Sequence, residues 1–281
     1  MKTDDNRLLA ARVALLGAGR MGFALVSGWL KRGVPGSSIQ VVEPNPSPQL
    51  SELLLNAGST IVAADRASKV DVLVLAVKPQ IVAHVAEQAR ALLRHRALVL
   101  SIMAGTTIAE LRSLFPDAGS IVRGMPNLAA SIGQGISVVV AEARSAADHR
   151  GLSEQLLGAV GSIEWLSDEA LMDAATALSG SGPAYIFYAT ECLARAGYHI
   201  GLPADTAARL ARAIVQGSGA LLGALPEAPE QLRQQVTSPG GTTAAGLEVL
   251  MADGRLQDIL SATLTAAARR SRELGKSASD A

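Results

Sequence analysis

The 281-residue sequence contains a single cysteine, Cys192, and few aromatic side chains: two tryptophans, three tyrosines and three phenylalanines. One cysteine excludes an intrachain disulfide and is typical of a reducing compartment. Because aromatic residues make up 3% of the chain and hydrophobic residues 49%, the core must consist of Ala, Leu, Val and Ile. These small side chains let helices approach closely, which favours helix-on-helix packing.

The chain also has no excess of either charge, since 25 basic residues balance 25 acidic ones. A nucleic-acid partner would require a basic patch, so none is expected. The apolar runs are short, and none reaches the ~20 residues of a membrane helix. Residues 1–12 are mixed in charge and lack the apolar segment of a secretory signal. We therefore expect a cytoplasmic protein without a membrane partner.

Metal-binding and hydrolytic motifs are missing too. The four histidines are scattered along the chain: His84, His95, His149 and His199. None has a Cys or another His at the spacing of a metal site, so no metal is expected. No Ser–His–acid arrangement is indicated, and no lysine lies between Lys78 and Lys276. Chemistry on this chain would therefore work without a strong acid–base side chain.

Strand-like and helical segments alternate through the first 165 residues, and only helical patterns follow. Residues 70–77 form a run that is apolar except for Asp71, typical of a strand buried on both faces of a parallel sheet. The fold class predicted is therefore α/β: an N-terminal Rossmann domain with a doubly wound parallel sheet, then an all-α domain. We place the two domains at residues 1–165 and 166–281.

Three local predictions are open to a direct structural check. A helix is predicted over residues 81–93, with a strand over residues 97–103. A second helix is predicted over residues 145–160, with no strand between it and the domain boundary. Residues 123–127 are predicted to form a loop after a strand that begins near Ser120.

The pattern G-x-G-x-x-G stands at residues 17–22, between a predicted strand and a predicted helix, as a dinucleotide-binding loop requires. The first glycine permits a tight turn, the second lets the backbone approach the pyrophosphate, and the third lets helix pack on strand. The free N–H groups and the dipole of the helix favour the anion. The cofactor-binding residues predicted here are Gly17, Gly19, Arg20, Met21 and Gly22.

Glu43 ends the second predicted strand, about 20 residues past the glycine pattern, where a carboxylate can accept a hydrogen bond from a ribose 2′-OH. A carboxylate repels a 2′-phosphate and so favours NADH. Asn45, Ser47 and Arg20, by contrast, could solvate a phosphate. Alternatively, Glu43 is only a solvated residue at the end of a strand. We include Glu43 and Asn45 among the predicted cofactor-binding residues.

Two further segments follow predicted strands, at the sheet edge where ligands bind in open α/β folds. Lys78 in the first segment could reach a ribose or phosphate, or could be a solvated lysine before a proline. The second segment offers an apolar wall for the nicotinamide ring and an amide donor, or is an ordinary loop. The residues predicted from them are Ala76, Val77, Lys78, Pro79, Met125, Pro126 and Asn127.

A proline, two glycines and two threonines form the most informative segment of the second half, residues 238–243. The proline restricts the backbone, and the glycines leave backbone N–H groups accessible. Two threonines with hydroxyl groups stand at the start of the next predicted helix. This arrangement suits a carboxylate. Alternatively, Thr242 or Thr243 merely caps the helix. The substrate-binding residues predicted are Ser238, Gly240, Gly241, Thr242 and Thr243.

With these motifs the chain resembles the pyrroline-5-carboxylate reductases, the last enzymes of proline biosynthesis. The matching stretches follow the family's order over nearly the whole chain: residues 17–22, 76–79, 101–105, 125–127, 177–185 and 236–243. The resemblance implies hydride transfer from NAD(P)H to the C=N carbon of Δ1-pyrroline-5-carboxylate, giving L-proline. It also implies that residues 238–243 hold the substrate carboxylate and that Thr243, as catalytic residue, meets the ring nitrogen.

The resemblance further implies a homodimer in which the helical domains of two subunits interlace, with dimers assembling into decamers of five. The sequence departs from the family at Leu128 and Ala129, which replace a Thr-Pro pair. The family commonly favours NADPH, whereas Glu43 favours NADH, so the preferred dinucleotide stays open. Two alternatives also stay open: a reductase of another cyclic imine, such as piperideine-carboxylate, and a non-catalytic NAD(P)-sensing protein.

Overall fold

The computed structural model describes residues 7–279 of the chain. These residues divide into two compact units, one formed by the residues up to Ser181 together with those from Ala267 onward, and the other by Gly182–Ala266. We refer to them as unit 1 and unit 2 and describe each by itself. Within the described residues, no helix is both long enough and apolar enough to cross a bilayer.

Unit 1 is built on an eight-stranded sheet of order β3-β2-β1-β4-β5-β6-β7-β8. The strands are β1 Val13–Leu16, β2 Ile39–Val42, β3 Thr60–Ile61, β4 Val70–Leu75, β5 Leu93–Ser101, β6 Ser120–Pro126, β7 Gly135–Ala141 and β8 Gly161–Trp165. All neighbours are parallel except β6 and β7, which are antiparallel. The predicted doubly wound sheet is confirmed, with this one antiparallel pair.

Twelve α-helices lie in the described part of the chain. They are α1 Arg7–Ala10, α2 Arg20–Lys31, α3 Pro48–Asn56, α4 Pro79–Ala91, α5 Ile108–Leu114, α6 Ala147–Gly158, α7 Met172–Ala175, α8 Gly182–His199, α9 Ala204–Ala224, α10 Pro229–Gln235, α11 Thr242–Met251 and α12 Arg255–Ser279. Among the described residues after Trp165 there is no strand, as predicted.

The two faces of the sheet are both buried, which strand β4 shows directly. Val72 and Val74 belong to one apolar cluster, whereas Leu73 and Leu75 belong to another. Successive side chains of a strand point to opposite faces, so a continuous apolar run is what a sheet covered on both sides needs. The prediction of a buried strand at this position is confirmed, although the strand ends two residues earlier than predicted.

Three local predictions were wrong. The helix predicted over residues 81–93 ends at Ala91, and β5 begins at Leu93 instead of 97. The start of β5 was missed because residues 94–96 are polar and exposed, so they lack the apolar pattern of a buried strand. Strand β8 was missed: it is a short edge strand with alternating burial, joined in parallel to β7. Met125 and Pro126 are not loop residues but the last two residues of β6. A proline, which has no N–H to donate between strands, is tolerated at such a strand end.

Unit 2 consists of α8 to α11 and the first part of α12. Ala207 and Ala211 on α9 are buried. A Cβ on Gly197 of α8 would lie only 3.2 Å from the Ala207 Cβ, so the two helices approach closely. This is the small-residue packing that the composition predicted. Large apolar side chains elsewhere in unit 2 stay exposed, among them Ile186, Phe187, Ile200, Ile214, Val249 and Ile259.

Candidate active site

The glycine pattern after β1 adopts the conformation that its residue types favour. Gly17 has a φ of +87°, and a Cβ there would lie 2.8 Å from the Ala76 carbonyl oxygen. A Cβ on Gly22 would lie 2.7 Å from the Gly17 carbonyl oxygen. No other residue fits either position without displacing backbone. The turn and the contact between helix and loop therefore both depend on glycine.

Gly19 differs from its neighbours because nothing lies within 4 Å of the position a Cβ would take. It is the N-cap of α2 and has no side chain to cap the helix. Arg20, Met21 and Gly22 form the first turn, whose N–H groups lack partners within the helix. The space above Gly19 and this uncapped helix end together suit a pyrophosphate.

Glu43, just after β2, is hydrogen-bonded through both carboxylate oxygens. Oε2 accepts from the Ala18 N–H at 2.8 Å, and Oε1 accepts from the Asn45 N–H at 3.0 Å. The alternative that Glu43 is merely a solvated strand end is therefore wrong, since the side chain ties the glycine loop to the chain after β2.

A cavity of about 890 Å³ opens at the carboxyl ends of the strands. It is lined by seven of the residues predicted to bind cofactor: Gly17, Gly19, Glu43, Asn45, Ala76, Val77 and Lys78. The volume lies within the range of about 300–1,000 Å³ expected of a ligand pocket. These residues come from loops far apart in sequence, so the fold brings together half of the predicted cofactor residues.

Other residues of this cavity were not predicted from the sequence. Ile61, Val62 and Ala63 at the end of β3 form part of the wall. Ile81, Val85 and Gln88 of α4 contribute another part. A signal existed for the second group, because spacings of four and three residues place side chains on one face of a helix. For the first group, the signal was the end of a strand adjacent to β2.

The other seven predicted cofactor residues lie outside the cavity lining. Pro79 is the first residue of α4. Met125 packs against the apolar cluster that contains Val138, Val140 and Met172. The Asn127 amide donates to the Ser179 carbonyl at 3.1 Å and accepts from the Ile136 N–H at 3.3 Å. Both ends of that amide are thus engaged within unit 1. The remaining four are Arg20, Met21, Gly22 and Pro126.

Leu128 and Ala129, which replace the Thr-Pro pair, lie in a short helical turn. Leu128 and Ala129 begin the short 3-10 helix Leu128–Ile132, which directly follows Asn127. Leu128 is 49% exposed. The hydroxyl that the family has here is replaced by an exposed apolar side chain at the end of β6.

The segment of residues 238–243 in unit 2 forms a turn that opens into α11. Gly240 has a φ of +69°, and the Gly241 N–H donates to the Ser238 carbonyl at 3.0 Å. Gly241 is the N-cap of α11, and Thr242 and Thr243 are the first two residues of the helix. The capping alternative is wrong, because the N-cap residue has no side chain. Both threonine hydroxyls stand on exposed residues at a helix end whose N–H groups lack partners within the helix.

Comparison with known proteins agrees with this geometry. A family described as pyrroline-5-carboxylate reductase dimerisation matches residues 169–274, and one described as NADP oxidoreductase coenzyme F420-dependent matches residues 12–105. The chain is 36% identical to a pyrroline-5-carboxylate reductase of Pseudomonas aeruginosa, across 94% of this chain and 97% of that one. The chain belongs to the pyrroline-5-carboxylate reductase family. The resemblance inferred from the motifs is confirmed.

Further members of the pyrroline-5-carboxylate reductase family show the same extent of similarity. The enzyme of Pisum sativum is 38% identical, covering 93% of this chain and 95% of its own length. The structure of a pyrroline-5-carboxylate reductase from Coxiella burnetii superposes with a TM-score of 0.88 at 34% identity, covering 94% of this chain and 98% of that one. The Plasmodium falciparum enzyme, solved with NADP bound, gives 0.78 at 26% identity, covering 95% and 99%.

Proposed function

We propose that the protein reduces Δ1-pyrroline-5-carboxylate to L-proline, the last step of proline biosynthesis, with NAD(P)H as hydride donor. The observation that carries this proposal is the 238–243 turn, which stands on a chain that matches the pyrroline-5-carboxylate reductases over nearly its whole length. The turn has no role in a protein that only binds a dinucleotide. Its exposed N–H groups and hydroxyls suit a small carboxylate.

Residues of unit 1 hold the dinucleotide. The open space at Gly19 and the uncapped start of α2 receive the pyrophosphate. Glu43, Asn45 and the apolar cavity walls receive the adenosine end. The Plasmodium falciparum relative, whose structure contains NADP, supports this assignment. When bound, the reduced nicotinamide supplies a hydride. Arg20, Met21, Gly22, Lys78, Pro79, Met125, Pro126 and Asn127 complete the proposed set.

Residues 238–243 hold the substrate carboxylate. The N–H groups at the start of α11 point out of the helix end, and the helix dipole adds favourable positive potential there. Ser238 and Thr242 add hydroxyl donors on the same turn. This arrangement fixes the five-membered ring by its carboxylate.

The reaction needs little acid–base assistance from the protein. A protonated imine is already an electrophile: the carbon accepts the hydride, the C=N π electrons move to nitrogen, and the amine results. Alignment of donor and acceptor can lower a barrier by ~7–11 kcal/mol. The Thr243 hydroxyl lies at the ring nitrogen in this proposal, where it stabilises or relays the proton.

Oligomeric state and location belong to the same proposal. The match of residues 169–274 to a family described as a dimerisation domain supports a homodimer. We assign substrate binding and dimerisation to residues 166–281, cofactor binding to residues 1–165, and further assembly to a decamer of five dimers. The cytoplasmic location rests on the composition of the sequence.

A kinetic experiment on Thr243 tests the proposed function. Thr243→Ala removes one hydrogen bond to a charged group, worth about 1.5–3 kcal/mol, so kcat/KM for pyrroline-5-carboxylate should fall about 10- to 100-fold. The matched control is Thr263→Ala, since the Thr263 hydroxyl donates to the Ile259 carbonyl of its own helix. Unchanged kinetics of Thr243→Ala would remove that residue from the site.

The same assay separates the alternatives. A reductase of six-membered imines would turn over piperideine-carboxylate faster than pyrroline-5-carboxylate. A sensor would bind a dinucleotide and turn over neither imine. Turnover of pyrroline-5-carboxylate as the better substrate is the result that the proposal requires.

A further inference from the structure

We propose that Glu43 makes this protein select NADH over NADPH, an inference that rests on the proposed function and refines it. Glu43 follows β2, the position that the Rossmann fold places at the adenosine ribose. NADPH differs from NADH by a 2′-phosphate on that ribose. The selection therefore depends on what the structure offers a phosphate at this end of the cavity.

The Glu43 carboxylate is held in place. Its two oxygens accept hydrogen bonds from the backbone N–H groups of Ala18 and Asn45 at 2.8 and 3.0 Å. One donor belongs to the glycine loop and the other to the chain after β2, so the side chain cannot turn away without breaking both bonds. The negative charge consequently stays in the wall of the cavity.

The chain after Glu43 is poor in hydrogen-bond donors. Residues 44–48 read Pro-Asn-Pro-Ser-Pro, and three of these five residues have no backbone N–H. The Asn45 N–H already donates to Glu43. Ser47 is the N-cap of α3, where its hydroxyl accepts from the Leu50 N–H at 3.2 Å. A 2′-phosphate would need several donors here, and most of the backbone donors are missing or used.

The cavity wall also offers little positive charge to a 2′-phosphate. Among the described residues that line the cavity, Lys78 is the one that carries a positive charge. It follows β4, and β1 lies between β2 and β4 in the sheet. Two strand spacings separate the ends of β2 and β4 by about 10 Å. Lys78 thus follows a strand that is not adjacent to β2, Arg20 lies outside the cavity lining, and residues 43–48 contain no Lys or Arg.

The first test uses the protein without substitution. Isothermal titration with NADH and with NADPH, in the absence of imine, should give a dissociation constant at least about tenfold lower for NADH, because a like charge facing a phosphate discriminates strongly. Equal affinities, or tighter binding of NADPH, would overturn the inference. If NADPH binds more tightly and the imine is still reduced, the proposed function stands. If neither dinucleotide binds, the proposed function falls as well.

The second test replaces Glu43 by glutamine, which keeps the shape and one acceptor oxygen but removes the charge. The ratio of the dissociation constants of NADPH and NADH should fall at least about tenfold, mainly through tighter NADPH binding. Glu52→Gln is the matched control, because Glu52 is exposed on α3 outside the cavity lining, and its ratio should not change. Equal weakening of both dinucleotides by Glu43→Gln would mean that Glu43 only shapes the loop, which contradicts the selection.

A fragment comparison keeps the inference testable should Glu43→Gln fail to fold. Adenosine 5′-monophosphate and adenosine 2′,5′-bisphosphate differ by the 2′-phosphate alone. The unsubstituted protein should bind the monophosphate at least about tenfold more tightly. Tighter binding of the bisphosphate would show that the site accepts a 2′-phosphate and would overturn the inference.

Discussion

Single glycines of the nucleotide loop meet different physical requirements. Gly17 has a left-handed backbone and no room for a Cβ, whereas Gly19 has an ordinary backbone and open space around it. The first glycine is needed for the loop to fold. The second is needed for a ligand to approach the backbone, so the two positions separate stability from binding.

Alanine substitutions should therefore act in opposite ways at the two positions. Gly17→Ala should lower the free energy of unfolding by about 1–3 kcal/mol, because alanine is strained at that φ. Gly19→Ala should cost less than about 1 kcal/mol, the usual range for an N-cap change, yet raise the dissociation constant for NADH at least about tenfold. Thermal unfolding and titration calorimetry measure the two effects.

Gly151→Ala is the control for both substitutions. Gly151 lies in α6, and nothing lies within 4 Å of its Cβ position. The alanine should leave NADH binding unchanged and stabilise the helix slightly. Tight NADH binding by Gly19→Ala would contradict the placement of the pyrophosphate above Gly19.

The residues that line the cavity were easier to predict from the sequence than the contacts between them. The glycines, Glu43 and Lys78 were found from the sequence because special residue types stand at fixed positions after strands. The two hydrogen bonds of Glu43 were not predictable, since they depend on how the loop after β2 folds back. The hydrogen bond between Glu43 and the Ala18 N–H joins two segments that only the folded structure brings together.

Helices and strands could be predicted from the sequence where their burial pattern is simple. The prediction failed where burial changes along the element. The four residues that end β5 before Ser101 are buried, but three polar residues near its start, Arg94, His95 and Arg96, are exposed. This first part therefore lacks the apolar pattern of a buried strand. Strand β8 is short and half-exposed at the sheet edge. Its pairing with β7 depends on tertiary contacts that local sequence does not record.

Helix α2, which begins at the nucleotide loop, is fixed by Trp29. This side chain is fully buried, and its Nε1–H donates to the Leu156 carbonyl of α6 at 2.9 Å. Trp29→Phe leaves that buried carbonyl without its donor, so the free energy of unfolding should fall by about 1–3 kcal/mol. Chemical denaturation monitored by circular dichroism measures the change.

Trp165→Phe is the matched control, since its indole donates to Glu154 at an exposed site. A loss of less than about 1 kcal/mol is expected there. Equal losses for both tryptophans would show that the α2–α6 contact does not depend on the buried hydrogen bond.

An ion pair joins α5 to the end of β7. Arg112 donates to both carboxylate oxygens of Glu142, at 3.1 and 2.6 Å, and also to carbonyls of the turn that leads into β6. Burial alone would raise the pKa of Glu142, but hydrogen bonds and charges from Arg112 and Arg144 outweigh it, so its pKa lies below the usual 4.5.

A lowered carboxyl pKa gives a pH dependence of defined sign. Ionised Glu142 stabilises the fold above pH 4.5, and this stabilisation is lost as the pH falls through the lower pKa of the folded state. Glu142→Gln should therefore cost about 1–2 kcal/mol near neutral pH and progressively less below pH 4.5. Urea unfolding across pH measures this. Glu164→Gln, exposed on β8, is the matched control, and a pH-independent loss for Glu142→Gln would contradict the account.

At the scale of the whole molecule, unit 2 exposes more large apolar side chains than a lone subunit would tolerate in water. Leu210, Ile214 and Leu221 recur on α9 at helical spacing and are each about half exposed. The family match of this region to a dimerisation domain supports burial of these side chains against a second subunit. The composition predicted helical packing, but which apolar faces stay uncovered required the structure.

Ile214→Glu should therefore weaken the dimer. Placing a charge in an apolar interface is costly, so sedimentation velocity at micromolar concentration should show a shift from at least a dimer of the 28.9 kDa chain towards monomer. Gln216→Glu adds the same charge two residues along α9, on the other side of the helix, and should leave the dimer intact. An unchanged sedimentation coefficient for Ile214→Glu would remove this face from the interface.

The most direct test of the account is the product of the reaction. Purified protein incubated with pyrroline-5-carboxylate and reduced dinucleotide should form one L-proline for each dinucleotide oxidised, as measured by chiral chromatography beside the loss of dinucleotide absorbance. Oxidation without L-proline, or dinucleotide binding without any turnover of this imine, would contradict the assignment of the 238–243 turn as its binding site.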